Sequence, residues 1–284
     1  MPTLRALAEA GHDLDLVVTQ PDRPGHRLRL TPPPVKEAAL ELGLPVFQPE
    51  RIRAPEALSR LAAAGPELVV VVAYGQIIPS AILELPPRGV LNVHASLLPR
   101  WRGAAPIAHA ILAGDPLTGV TIMAMDEQLD HGPILSTRQT AIGDGEDAVS
   151  LGRRLASIGA ELLVGMLPEL GRIVPREQDH EAATLAPKLK KEDGELGWEL
   201  EALEIDRRVR AFQPWPGVSL PFVGARVKVL RGSPAEGTGT PGDVLAVDRN
   251  GVEVAAGRGS YLLEEVQVPG RRPQPARILM ASDA

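Results

Sequence analysis

The chain has 284 residues, of which 44% are hydrophobic and 23% charged, and its formal net charge is -6. These fractions are ordinary for a globular protein and exclude large-scale disorder, and the length predicts a larger domain followed by a smaller one. The sequence contains no cysteine, which excludes disulfide bonds and thiolate catalysis. Because no leader and no run of about 18 apolar residues is present, we expect a cytoplasmic protein without a membrane span.

Helices and apolar strands alternate through the first part of the chain. In order, the sequence predicts a helix at 2–10, a strand at 14–20, a Pro- and Arg-rich loop at 21–34, a helix at 35–43, an extended segment at 44–49, a helix at 54–65, strands at 67–75 and 89–96, a helix at 104–114, strands at 118–130 and 132–142, and a helix-rich stretch at 147–171. This alternation is typical of βαβ units. We therefore predict an α/β, Rossmann-like domain with a parallel sheet over residues 1–171.

The predicted sheet lacks its usual beginning. A doubly wound sheet normally starts with a strand that leads into the first helix, whereas this sequence begins inside that helix. We expect that either the sheet lacks a strand or the sequence begins short of its natural start.

The composition and the predicted elements change after the first domain. Residues 172–190 contain prolines and mixed charges without periodicity, which predicts a linker. A helix is predicted at 200–212, and five short β runs follow, with a hairpin at Asn250-Gly251. Five short strands predict a small OB-like β-barrel within a second domain at 191–284.

Two polar residues interrupt the apolar strand at 89–96. Asn92 and His94 are two positions apart, so their side chains share one face near the carboxyl end of the strand, where open sheets bind ligands. Asp130 follows the next predicted strand and reaches His94 if the two strands are neighbours. We call Asn92, His94 and Asp130 the polar trio.

The polar trio is suited to acyl transfer to an amine. An asparagine N–H and a histidine cation stabilise an oxyanion, and an aspartate accepts the proton of the amine. A satisfied core pair together with a turn aspartate is the structural alternative. A serine hydrolase is disfavoured because Ser96 lacks the G-x-S-x-G context. No metal is expected, since the six histidines are scattered without ligand spacing.

Two longer motifs add a family resemblance. The segments NVHASLLPRWRGAAPI at 92–107 and GVTIMAMDEQLDHGPIL at 119–135 resemble the N10-formyltetrahydrofolate-dependent formyltransferases. RAFQPWPG at 210–217 is similar to the branch that acts on methionyl initiator tRNA. The resemblance extends over about residues 2–270.

The resemblance implies roles for particular residues. It implies that Asn92, His94 and Asp130 are catalytic, and that Ser96, Leu97, Leu98 and Pro99 contact the folate. It further implies 10-formyltetrahydrofolate as the formyl donor, the amine of methionyl initiator tRNA as the acceptor, and a role in translation initiation. We expect a monomer.

The sequence departs from the family pattern at three places. Gln128 stands where glycine is usual before the Leu-Asp pair, and His131 replaces a small or hydroxyl residue. Family members also begin with a strand and a Gly-Thr-Pro loop before the first helix here, so we expect a missed upstream start codon or a truncation.

Arginine and lysine residues suggest where RNA binds. Arg23, Arg27 and Arg29 lie on the proline-stiffened loop, which contacts the acceptor stem in the family, and arginine suits phosphate contacts. In the second domain, Arg208 lies on a helix, and Arg226 and Lys228 share one strand face, where they form a candidate phosphate stripe. Ordinary surface charge is the alternative for each of them.

Other functions remain open. A formyltransferase for an amino sugar or glycinamide ribonucleotide uses the same chemistry, although the glycinamide enzymes lack a second domain. A non-catalytic RNA-binding protein descended from the enzyme is the alternative outside catalysis, and the intact trio disfavours it.

Overall fold

A computed structural model of the protein describes residues 1–24 and 30–280. The chain divides into two compact units. The first consists of Met1–Pro106, Leu117–Ala141 and Gly152–Ala186, and the second consists of Ile107–Pro116, Ile142–Leu151 and the residues from Pro187 onward.

The elements up to residue 186 follow the predicted alternation. They are α1 Pro2–Glu9, β1 Val17–Val18, β2 Arg23–Pro24, β3 Leu30–Thr31, α2 Pro34–Glu41, β4 Val46–Phe47, α3 Pro55–Ala64, β5 Val69–Val71, α4 Ser80–Leu83, β6 Val90–His94, β7 Arg102–Gly103, α5 Pro106–Ala113, β8 Leu117–Ala124, β9 Ile134–Ala141, α6 Ala148–Met166, a 3-10 helix Leu167–Glu169 and β10 Leu185–Ala186.

Helix ends lie where local chemistry places them. Helix α3 begins with Pro55 in its first turn and ends at Gly65, which adopts the left-handed conformation with a φ of 61°. Proline lacks the N–H that a first turn leaves unpaired, and glycine takes positive φ without strain. The helix predicted at 54–65 is therefore confirmed.

Parallel pairing is found at two places in the first unit. Strand β1 pairs with β4, and β5 pairs with β6, both parallel. The four-stranded sheet has the order β5-β6-β8-β9, in which β8 and β9 are antiparallel to their neighbours. The sequence did not reveal this reversal, because a strand covered on both faces is continuously apolar whichever way it runs.

One face of the four-stranded sheet is covered by α6. Leu162, Leu163 and Met166 of this helix belong to the same buried cluster as Leu91 of β6 and Ile122 of β8. This packing fixes β6, the strand that contains Asn92 and His94, against α6.

The remaining elements belong to the second unit. They are a 3-10 helix Lys191–Gly194, α7 Ala202–Ala211, β11 Val218–Phe222, β12 Ala225–Ala235, β13 Val244–Val247, β14 Val252–Ala255, β15 Ser260–Gln267, β16 Gln274–Pro275 and α8 Arg277–Met280. The strands form an antiparallel sheet with the order β11-β12-β15-β14-β13, and β16 pairs with β15.

The predicted OB-like barrel is not confirmed. Among the described residues, β11 and β13 lie at opposite edges of the sheet and do not pair with each other, so the sheet stays open. The predicted hairpin is confirmed, because β13 and β14 pair on either side of Asn250-Gly251. Asp248 stabilises its turn by accepting hydrogen bonds from both of these backbone N–H groups, which lower the pKa of its carboxyl group.

Within residues 1–24 and 30–280, no helix combines the length and the apolar character that crossing a bilayer requires.

Candidate active site

Strand β6 presents Asn92 and His94 on one face. They are two positions apart on an extended backbone, and both are buried, with 9% and 6% of their surfaces exposed. Polar side chains buried to this extent need hydrogen-bond partners. Those partners come from outside the strand.

Asp130 reaches the strand by a route that the sequence did not predict. Because β8 is antiparallel to β6, with His94 opposite Thr121, the end of β8 lies beside the start of β6. The loop after β8 then brings Asp130 back to Asn92 and His94. Asp130 itself has a φ of 47°, a left-handed conformation that is strained for a residue other than glycine.

The polar trio is brought together around the Asp130 carboxylate. Asn92 donates from Nδ2 to Oδ1 at 3.0 Å, and the backbone N–H of Gly103 donates to Oδ2 at 2.8 Å. His94 Nδ1 lies 3.7 Å from the same Oδ2. That distance exceeds an ordinary hydrogen bond, so the imidazole and the carboxylate face each other without a direct bond.

The other nitrogen of the imidazole ring has a fixed partner. His94 Nε2 lies 2.9 Å from the carbonyl oxygen of Trp101, and because a carbonyl only accepts, Nε2 carries the hydrogen. The backbone N–H of Trp101 in turn donates to Thr184 Oγ1 at 2.9 Å. This arrangement directs Nδ1 toward Asp130.

Two residues of the predicted folate-contacting segment, 96–99, have their side chains held within the protein. Ser96 is fully buried and donates from Oγ to the carbonyl of Arg100 at 2.6 Å. Leu98 is buried in a cluster with Met123 and Ile134. Leu97 and Pro99 are half-buried.

Part of the predicted linker at 172–190 pairs with strands beside the site. Arg176 forms an antiparallel bridge with Ile134, and β10 pairs in parallel with β7, the strand that contains Arg102 and Gly103. Gln178 from this segment donates to the backbone carbonyls of Asp130 and Gly132. No pattern in the sequence points to Gln178, because it is an isolated polar residue in an aperiodic segment.

His131, one of the departures from the family pattern, is held beside Asp130. Its Nδ1 lies 2.7 Å from Asp126 Oδ2. Its ring stacks on the ring of His180, with centroids 3.9 Å apart and planes 2° from parallel. The unusual histidine is therefore accommodated by ordered partners from the same loop and from the predicted linker.

The proposed tRNA-binding loop is described only at its ends. Arg23 is exposed and donates to Gln20 Oε1 at 3.3 Å, whereas Arg27 and Arg29 lie outside the described residues. Asp22 anchors the start of the loop, because Gln48 and Lys36 donate to its carboxylate and lower its pKa.

The cationic residues predicted in the second unit have different surroundings. Arg208 forms an ion pair with Glu204 on α7. Arg226 is exposed, but its guanidinium donates to the carbonyls of Leu196 and Ser219, at 2.6 and 2.8 Å. Lys228 is half-buried on the same strand, β12, two positions from Arg226. Arg226 and Lys228 therefore share one face, as expected.

Arg208 also lines a cavity of about 470 Å³ in the second unit, together with Lys188 and Lys190. Among the described residues, no group of three or more His, Asp or Glu side chains is placed to hold a metal ion.

Comparison with protein families identifies both parts of the chain. A family model described as Formyl transferase matches residues 2–167, and one described as Formyl transferase, C-terminal domain, matches residues 188–283. A methionyl-tRNA formyltransferase from Trichlorobacter lovleyi is 47% identical over 283 residues, which is 99% of this chain and 90% of that relative.

Solved structures share the fold at lower identity. An N-formyltransferase from Helicobacter canadensis, in complex with folinic acid and dTDP-3-aminofucose, has a TM-score of 0.67 and 14% identity, with 92% of this chain and 93% of that chain covered. HypX from Aquifex aeolicus, in complex with tetrahydrofolic acid, has a TM-score of 0.64 and 21% identity, with 86% of this chain and 44% of that chain covered.

Proposed function

This chain belongs to the formyl transferase family, and we propose that it transfers a formyl group from a folate donor to the amino group of methionyl initiator tRNA. The function rests on one observation, the convergence of Asn92, His94 and Asp130 in a buried site. The acceptor follows from the near-full-length match to a methionyl-tRNA formyltransferase.

We assign 10-formyltetrahydrofolate as the donor, which supplies an activated formyl group when bound. The Asn92 amide has two N–H groups, and one of them holds Asp130. The second has no partner among the described residues, and it can donate to the formyl oxygen and stabilise the negative charge that develops there. A buried site favours this role, since electrostatic interactions are stronger where water is excluded.

Asp130 is the proposed proton acceptor. Its Oδ2 faces His94 Nδ1 at 3.7 Å and accepts from the Gly103 N–H at 2.8 Å. The amine nitrogen forms a bond to the formyl carbon, and the carboxylate takes the proton of the attacking amine, directly or through water, while His94 in its cationic form helps to stabilise the oxyanion. The bond between the formyl carbon and N10 of the folate then breaks, and N10 takes up a proton, so that tetrahydrofolate leaves. No covalent intermediate with the enzyme is needed, and no metal enters the proposed mechanism.

For the folate, the half-buried Leu97 and Pro99 are the members of the 96–99 segment whose side chains we propose as contacts. Ser96 and Leu98 act by shaping that loop, because the Ser96 hydroxyl and the Leu98 side chain are committed within the protein.

For the tRNA, Arg23, Arg27 and Arg29 are proposed to contact the acceptor stem. In the second unit, Arg208, Arg226 and Lys228 are proposed to lie along the phosphate backbone. We also propose a catalytic domain at 1–171, a linker at 172–190 and a tRNA-binding domain at 191–284. We further propose that the protein is a monomer and that it lies in the cytoplasm, because charged tRNA is used there.

A formylation assay tests the function. Purified protein is incubated with 10-formyltetrahydrofolate and methionyl initiator tRNA, and formylmethionyl-tRNA is separated from methionyl-tRNA. Parallel reactions contain an amino-sugar nucleotide or glycinamide ribonucleotide as acceptor. We expect rapid transfer to methionyl-tRNA, and faster transfer to either small acceptor would overturn the proposal.

A further inference from the structure

We propose that Gln178 is a positioning residue for the reaction, which holds the backbone of Asp130 in place through a buried amide shared with Arg102. This inference rests on the proposed function, because it gives Asp130 the role stated above. It assigns Gln178 a part in catalysis although its side chain is directed at the protein backbone.

Every hydrogen-bonding position of the Gln178 amide is used. Nε2 donates to the carbonyl oxygens of Asp130 at 3.0 Å and Gly132 at 2.7 Å. Oε1 accepts from Arg102 Nε at 3.1 Å and from its terminal nitrogen at 2.6 Å. An amide has two donor and two acceptor positions, so this side chain is fully satisfied. Gln178 is also 5% exposed, which makes an alternative set of partners costly.

The amide acts on a strained part of the loop. Asp130 has a φ of 47°, which a residue with a side chain adopts reluctantly. Gln178 holds the carbonyls on both sides of His131, so it secures the turn immediately after the carboxylate-bearing residue. Without these two bonds the loop is free to relax, and the Asp130 carboxylate then moves away from Asn92 and His94.

Arg102 extends the support to the other side of the carboxylate. It is 7% exposed, and besides Gln178 it donates to His180 Nδ1 at 2.9 Å. The next residue, Gly103, donates its backbone N–H to Asp130 Oδ2. The Gln178–Arg102 pair therefore connects the backbone of Asp130 with the strand whose N–H binds the Asp130 side chain.

Two substitutions separate this role from general packing. Gln178→Glu keeps the shape and the contact with Arg102, but it places a carboxylate oxygen against the two loop carbonyls. Gln178→Met keeps the length of the side chain and removes both polar functions. The matched control is Gln267→Glu in the second unit, where Gln267 Nε2 also donates to a backbone carbonyl, that of Arg271 at 2.9 Å.

We expect both Gln178 variants to lower kcat about 10- to 100-fold, because small displacements of a reacting group are costly. KM for the donor and for methionyl-tRNA should stay within about 2-fold, since all four hydrogen bonds of the amide are made within the protein. Gln267→Glu should keep the wild-type kcat. Rates are measured well below the thermal unfolding midpoint of each variant, so that loss of folded protein does not contribute.

The decisive comparison repeats both Gln178 substitutions in the Asp130→Asn background under single-turnover conditions. If Gln178 acts through Asp130, neither substitution lowers the residual rate further, because coupled residues are not additive. Equal fractional losses in both backgrounds, or an unchanged kcat in the wild-type background, overturn the positioning role. A failure of the proposed function looks different: the unsubstituted protein does not formylate methionyl-tRNA, or Asp130→Asn retains the full rate.

Discussion

His94 Nδ1 and Asp130 Oδ2 face each other at 3.7 Å, while the opposite nitrogen of the His94 ring is held by the carbonyl of Trp101. The ring therefore has one nitrogen available for proton exchange, and that nitrogen is directed at the carboxylate. The gap is too long for a direct hydrogen bond. An amine or a water beside the pair, within hydrogen-bond distance of both atoms, can interact with both groups, which is the arrangement that proton transfer from an amine requires.

The first prediction concerns the carboxylate. Asp130→Asn keeps the shape of the side chain and an oxygen that can accept from Asn92 or Gly103, but it cannot take up a proton at neutral pH. We expect kcat for formylation to fall at least about 100-fold, with a thermal unfolding midpoint close to that of the wild type. A variant that turns over at nearly the wild-type rate contradicts the proton-acceptor role.

The second prediction separates the two nitrogens of His94. His94→Ala removes both, whereas His94→Gln retains an N–H that can donate to the Trp101 carbonyl. We expect each variant to lose at least about 100-fold in kcat, the scale of a lost acid-base or oxyanion group. If His94→Gln stays active while His94→Ala does not, the Trp101 contact matters and the proposed role of Nδ1 is wrong.

The sequence could predict part of the site because a strand has a period of two. Asn92 and His94 share one face for that reason alone, and both are buried as a pair. The approach of Asp130 was not predictable in detail, since β8 runs antiparallel to β6 and the carboxylate arrives by a returning loop. Local spacing contains no information about the direction of a buried strand.

The contribution of Gln178 was hidden for a different reason. The predicted linker at 172–190 has no apolar periodicity, yet it pairs with β7 and Ile134 through backbone hydrogen bonds. Such bonds are available to any residue except proline at the donor position, so they leave no trace in composition. The open sheet of the second unit was missed for a related reason, because short alternating strands predict a sheet but not whether its edges meet.

The third prediction concerns Gly132 in the turn after Asp130. A Cβ at this position would overlap the backbone carbonyl of Ala124. The backbone of Gly132 has little freedom to move away, because Gln178 holds the Gly132 carbonyl. Gly132→Ala should destabilise the protein by about 1–3 kcal/mol, as overpacking does, and should lower kcat.

The matched control for Gly132 is Gly165→Ala in helix α6, where a Cβ would meet no atom within 4 Å apart from the local backbone of its own helix. There alanine should be neutral or stabilise by up to about 1 kcal/mol, since glycine is a poor helix former. Urea unfolding measures both variants. Equal stability of the Gly132→Ala variant and the wild type would show that the turn can adjust.

The fourth prediction is a pH dependence in the second unit. Tyr261 is fully buried, and its hydroxyl has no hydrogen-bond partner among the described residues. Burial raises the pKa of the phenol above its usual value, and the negative charge of Asp206 adds to this. A raised folded-state pKa means that the stability from the neutral phenol is complete below about pH 10, the unfolded-state value, and is lost as the pH rises further.

Tyr261→Phe removes that dependence. At pH 8 the variant should be as stable as the wild type, or more stable by up to about 1 kcal/mol, because an unpaired buried hydroxyl is lost. At pH 11 the difference in free energy of unfolding between the variant and the wild type should be larger by about 1.4 kcal/mol, because this pH is one unit above the unfolded-state pKa of the phenol. Urea unfolding at both pH values measures the change. The same difference at pH 8 and pH 11 would contradict the buried, neutral phenol.

The fifth prediction tests the proposed phosphate contacts on β12 with two neighbouring cations. Arg226 donates to the carbonyls of Leu196 and Ser219, so Arg226→Ala should lower the free energy of unfolding. No hydrogen-bond or ion-pair partner is found for Lys228 among the described residues, so Lys228→Ala should leave stability unchanged. If Lys228 contacts a phosphate, its loss weakens tRNA binding and reduces the slope of log Kd against log salt by about 1. Filter binding of methionyl-tRNA across a salt series measures that slope, and an unchanged slope for Lys228→Ala removes Lys228 from the proposed RNA surface.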